Sequence, residues 1–133
     1  MSRGLRNNNP GNIRRSKVRY RGEVQPSQDP EFRQFSAPEW GYRAIFVLLD
    51  TYRVRYGLRT VSQMISSVSA TTENRTQAYI DAVCRMTGLA PDEPLDTRDR
   101  ATMVPLAAAI SRVENGTAAV MRDVERGWAL FSD

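Results

Sequence analysis

The sequence predicts a mainly α-helical domain carrying a small irregular or β-hairpin N-terminal lobe. Three observations support this. Apolar residues recur at helical spacing from about residue 36 onward. Asn, Gly, Pro, Arg and Ser dominate the first 35 or so positions. Glycines stand where the helical patterns stop, at Gly57, Gly88 and Gly116.

In the N-terminal stretch, short alternating pieces such as KVRYRGEV and EFRQF fit a small hairpin among loops. Ser36 with Glu39 forms a capping-box pattern around Pro38, and Trp40, Ala44, Val47, Leu48 and Tyr52 follow at helical spacing up to Gly57. This is the longest predicted helix. Thr60 with Gln63 opens a second, through Met64, Ile65 and Val68, ended by the SATT stretch at 69–72. Asn74 with Gln77 opens a third, carrying Ala78, Val83 and Met86 before Gly88. LAPDEPLD reads as a loop. Asp96 caps a fourth helix, in which Pro105 either kinks the chain or begins a new helix that runs to Asn115-Gly116. Thr117 caps the last, with Val120, Val124 and Trp128 on its apolar face.

At 133 residues, 41% hydrophobic and 26% charged, the chain fits one domain, 1–133, with a single core and no internal repeat. IFVLL and VPLAAAI are too short to span a bilayer, and MSRGLRNNNPGN lacks the apolar segment of a signal peptide. Histidine is absent and Cys84 is the single cysteine. A His-centred triad, a His-ligated zinc and a thiolate cage are thereby excluded. Cys84 reads as a buried structural thiol. The net charge is +4, and seven cations (Arg3, Arg6, Arg14, Arg15, Lys17, Arg19, Arg21) precede the first acid, Glu23. Such an arm suits an anionic partner, cell wall or nucleic acid, or is simply a solvated face. Nucleic acid is the weaker fit, because the arm carries no recognisable reading motif and Tyr20 is its lone aromatic.

Glu114 stands out in AAAISRVENG. Stepping about 100° per residue from Leu106, Ile110 and Val113 fall within roughly 40° of the apolar stripe and Glu114 at about 80°. The acid therefore sits at the border of the core and at the negative end of its helix dipole. Both influences oppose ionisation, which suits a proton donor for glycosidic-bond cleavage. The alternative is a solvent-facing side chain paired with Arg112 or Arg122.

The segments RGLRNNNPGNIR, FRQFSAPEWGYRA, ENRTQAYIDAV and LAAAISRVENG together resemble a family of small phage-encoded proteins, often labelled virion structural proteins. Tyr20-Arg21-Gly22 stands where such families carry a tryptophan before a glycine. The same pieces are similar, in rotated order, to glucosaminidases and related lysozyme-like enzymes. In these an acid-bearing helix, an asparagine turn, a long helix and a tyrosine helix build the site. The resemblance implies a circularly permuted lysozyme-like domain acting on peptidoglycan glycan strands, as muramidase, glucosaminidase or lytic transglycosylase. Glu114 then corresponds to the general acid. Tyr79 corresponds to the helix tyrosine, or is ordinary core. Asn8, Asn9 and Asn12 correspond to the asparagine turn, which binds sugar or merely turns the chain. Glu73 is either a second carboxylate or a favourable charge at a helix start. No metal or organic cofactor is implied. The expected setting is a phage virion, or host cytoplasm with delivery to the periplasm, with other virion proteins as further partners. The competing class is a non-catalytic virion or wall-binding module.

Overall fold

The computed structural model describes residues 1–68 and 72–133. Six helices appear among the described residues: α1 (Arg3–Arg6), α2 (Pro38–Tyr56), α3 (Val61–Val68), α4 (Glu73–Thr87), α5 (Arg100–Asn115) and α6 (Met121–Ser132). The mainly helical expectation holds. Gly57, Gly88 and Gly116 end α2, α4 and α5 in the left-handed conformation.

Helix α2 packs most extensively along α6, while α5 meets α1, α2, α4 and α6. Tyr42, Ala44, Ile45, Phe46 and Leu49 are all buried on α2. Phe46 meets Trp128 of α6 edge-to-face at 5.0 Å, and Phe131 closes the cluster 5.3 Å from Trp128. Met103, Leu106, Ala107 and Ile110 bring α5 into the same core.

Several local expectations are corrected. A four-residue helix, α1, precedes the asparagine run; the Ser2 hydroxyl caps it by accepting from Leu5 N. Ala37, not Ser36, is the N-cap of α2, and it makes no side-chain cap bond. The pair Thr60/Gln63 does form the reciprocal box, Gln63 N to Thr60 Oγ1 and Thr60 N to Gln63 Oε1, both at 3.2 Å. Helix α4 starts at Glu73 with Thr72 as N-cap, so Asn74 lies inside it; Gln77 turns forward to Asp81 at 2.9 Å. Of the SATT stretch, residues 69–71 lie outside the described residues.

Pro105 starts no new helix. Helix α5 runs through it unbroken from its N-cap, Asp99, rather than from Asp96. Tertiary burial of Met103, Val104 and Leu106 on either side outweighs the one backbone donor that proline lacks. Thr117 caps nothing: residues 117–119 are loop and Val120 is the N-cap of α6. Cys84 is partly buried against the core, and burial pushes its thiol pKa up.

The N-terminal lobe holds two isolated antiparallel bridges, Arg14 with Phe32 and Glu23 with Phe35, in place of a regular hairpin. Polar groups fix it. The buried Asn9 amide donates to Ile13 O and Arg33 O and accepts from Ile13 N, at 2.9 to 3.0 Å. Arg33 is buried against Glu23, Ser16 and the Val18 carbonyl, and its guanidinium lies 4.6 Å from the Tyr20 ring centre. The lobe docks where α2 has no side chain. A Cβ at Gly41 would stand 2.0 Å from the Asn8 carbonyl oxygen, so only glycine lets the asparagine loop lie on the helix.

Candidate active site

The last turn of α5 carries Glu114, half-buried, with its carboxylate between two segments distant in sequence. Asn12 Nδ2 donates to Oε1 at 2.9 Å, and the Tyr79 hydroxyl donates to Oε2, also at 2.9 Å. Each carboxylate oxygen thus meets one donor and keeps acceptor capacity. The paired-arginine alternative does not occur: neither Arg112 nor Arg122 makes an ion pair with Glu114.

Local structure explains the meeting. Asn8 and Asn12 both adopt positive φ, 51° and 49°, a region asparagine tolerates better than most residues. This folds NNNPGN into a tight loop whose end faces α5. Asn115 fastens it there. Its amide donates to the Pro10 carbonyl at 2.8 Å and to Ser111 O at 2.9 Å, and its oxygen accepts from the Ser2 hydroxyl at 2.7 Å. Tyr79 is only 8% exposed on α4. Burial first, then the Glu114 charge and hydrogen bond, hold its phenol well above the ordinary tyrosine range, so it stays a donor. The Asn12 Oδ1 is buried with no partner.

From Asn12 a cleft of about 250 Å³ runs between the lobe and α2–α3, with Arg14, Ser16, Tyr20, Tyr52 and Ser67 among its lining residues. Glu114 touches the cleft through Asn12 rather than lining it.

Of the six residues singled out in sequence, the structure brings Glu114, Tyr79 and Asn12 together. Asn9 is fully buried within the lobe, and Asn8 donates to the Phe35 carbonyl at 3.1 Å, so both hold the loop and neither faces the cleft. Glu73 is the first residue of α4, and its side chain lies outside the described residues. Sequence reasoning missed Asn115, which it read as a helix stop, and Tyr52 and Ser67, whose place in the cleft depends on how α2 and α3 meet the lobe.

Fold and site define a mainly helical protein in which a partly exposed helix-end carboxylate is held between an asparagine loop and a tyrosine helix. No protein-family model matches the chain. Over 119 residues it is 35% identical to Protein P5 of Pseudoalteromonas phage PM2, an alignment covering 87% of this chain and 72% of that protein. The chain belongs to the family of that bacteriophage protein. Among the described residues no helix is long and apolar enough to cross a membrane.

Proposed function

We propose that the protein is a virion-associated phage enzyme that cleaves the glycan strands of peptidoglycan, with Glu114 as general acid and then base. The observation that carries this reading is the Glu114 carboxylate, partly exposed at a helix end and oriented on both oxygens by Tyr79 and Asn12. In the proposed reaction Glu114 gives a proton to the glycosidic oxygen and then takes one from the incoming hydroxyl, of water in a hydrolase or of the sugar itself in a transglycosylase. Tyr79 and Asn12 position the carboxylate. The cleft beginning at Asn12 receives the strand, and a permuted lysozyme-like arrangement of the helices is part of the same proposal.

The kinship to a phage protein favours a second reading, a non-catalytic virion structural or wall-binding module. In it, Glu114 serves only to join the loop at Asn12 to α4 and α5. Digestion of purified peptidoglycan by wild type and Glu114→Gln, followed by mass spectrometry of released muropeptides, separates the two. Release by wild type alone supports the enzyme, with reducing ends marking a hydrolase and 1,6-anhydro ends a transglycosylase. No release by either protein, with wall binding or virion incorporation kept, establishes the module.

A further inference from the structure

The amide that orients Glu114 is itself only half satisfied. Asn12 donates its Nδ2 to Glu114 Oε1 at 2.9 Å, yet the Oδ1 of the same amide is buried and accepts nothing. A buried carbonyl oxygen without a donor is unfavourable. The two ends of an amide fill nearly the same space, so turning it over about its last side-chain bond would bring Oδ1 onto Glu114 instead. An ionised carboxylate forbids this, because two acceptors would then face each other. A protonated one supplies the missing donor.

The surroundings of Oδ1 suit the turned amide. A Cβ at Gly4 would stand 2.6 Å from Asn12 Oδ1, 2.6 Å from Asn115 Oδ1 and 2.9 Å from the Asn9 carbonyl oxygen. Three acceptor oxygens thus gather about one point on α1, in space that glycine leaves open. Asn115 Oδ1 accepts from the Ser2 hydroxyl and the Asn9 carbonyl from Asn12 N, so each keeps a lone pair. With the amide turned, an NH2 group replaces the third oxygen and faces the other two. Asn115 is held as it is, because its Nδ2 donates to the Pro10 and Ser111 carbonyls.

The charges around the carboxylate leave the choice to Asn12. Tyr79, its phenol held well above the ordinary tyrosine range, remains a donor to Oε2, so Oε1 is the oxygen free to carry a proton. Arg112 precedes Glu114 on α5, Arg75 stands one turn before Tyr79 on α4, and Arg6 lies on α1. Among the described residues none of these ion-pairs with Glu114, and neither does any cation of α2 or α6.

We infer that Asn12 is a two-position partner of Glu114: its Nδ2 donates to the carboxylate, and once Oε1 is protonated the amide turns over and its Oδ1 accepts that proton in a hydrogen bond. The turn needs no substrate. Its catalytic consequence rests on the enzyme reading above: the resting acid holds its proton against Asn12 until a glycosidic oxygen takes it, and the carboxylate left behind regains the Nδ2 donor. Asn12 thereby serves as the positioning residue for both protonation states.

NMR of the full chain, labelled with 15N at asparagine and 13C at the glutamate carboxyls, tests this between about pH 7 and about pH 3, the range that brackets carboxylate titration. The Asn12 side-chain NH2 signals are expected to shift with the same midpoint as the Glu114 carboxyl, while their nuclear Overhauser contacts to the Gly4 α protons strengthen in step. The Asn9 NH2, engaged by the Ile13 and Arg33 carbonyls, stays unchanged and serves as the internal control. Glu114→Gln removes the titrating group and abolishes both changes. A shift without the gain in Gly4 contact, the same gain in Glu114→Gln, or unfolding before the Glu114 carboxyl titrates overturns the inference. The result is separate from peptidoglycan digestion: a protein that releases no muropeptide can still show the turn, and one that releases them can lack it.

Discussion

The lobe and the helical body are held together by opposite means. In the body, Phe46, Leu49, Met64, Leu106 and Ile110 are buried at helical spacing, and apolar area removed from water supplies the stability. In the lobe, Pro10, Ile13 and Phe35 supply the buried apolar side chains, and Asn7, Asn9, Asp29 and Arg33 are buried with them. The lobe therefore depends on geometry as much as on burial, since each buried polar group stabilises only while its partners stay in place. A body so built tolerates small shifts. A lobe so built holds its asparagine loop in one position, which is what the Asn12 contact to Glu114 requires.

The contrast can be broken most severely from either side. In the body, Phe46→Ala is expected to cost about 3–5 kcal/mol in denaturant unfolding, from lost burial and the cavity left among Trp128 and Phe131. In the lobe, Arg33→Met leaves Glu23 buried without its cation and is expected to cost about 3–5 kcal/mol. The double change Arg33→Met with Glu23→Leu should recover much of that loss. A double variant no more stable than the single one would show that packing, not charge, holds that corner.

Acid sharpens the comparison. The Arg3 guanidinium holds the Asp29 carboxyl far below the usual carboxylate range, aided by the Glu31 and Phe32 backbone amides and the Asn7 amide, against the pull of burial. A lowered folded pKa means that Asp29 adds stability in full above its unfolded value of about 4, and that this is lost as pH falls below it. Unfolding midpoints followed from pH 6 to pH 2 should drop more steeply for wild type than for Asp29→Asn. Equal slopes would place the acid sensitivity elsewhere. The mildest intervention is in the body: Thr60→Ala removes one bond of the α3 capping box and is expected to cost about 1 kcal/mol.

How much of this could be read in the sequence follows the same division. Helices α2 to α6 announce themselves through apolar spacing and terminal glycines, and the misplaced ends, at Asn74, Asp96 and Thr117, lie where capping residues had more than one candidate. Pro105 misled because propensity speaks for a break while burial on both sides of it does not. The lobe was illegible for a physical reason. Arginines and asparagines in a polar stretch read as surface, and nothing local shows that Arg33 will be buried on Glu23 or that Asn9 will replace a hydrophobic core. In the candidate site, periodicity placed Glu114 at the core border, but its meeting with Tyr79 and Asn12 came only through the resemblance, because those contacts join residues 35 and 102 positions apart.

That last separation has a kinetic meaning. Closing a loop of 102 positions carries more chain entropy than any contact within a helix, so the Asn12–Glu114 bond is expected to form after α2 has packed on α6. Asn12→Ala should then leave the refolding rate nearly unchanged and speed unfolding, a φ-value near zero in stopped-flow measurements. During synthesis Asn12 waits for almost the whole chain to emerge before its partner Glu114 exists. The protein thus has every helix of its body within reach before its carboxylate is in position, and a chain interrupted before α5 never assembles the site at all.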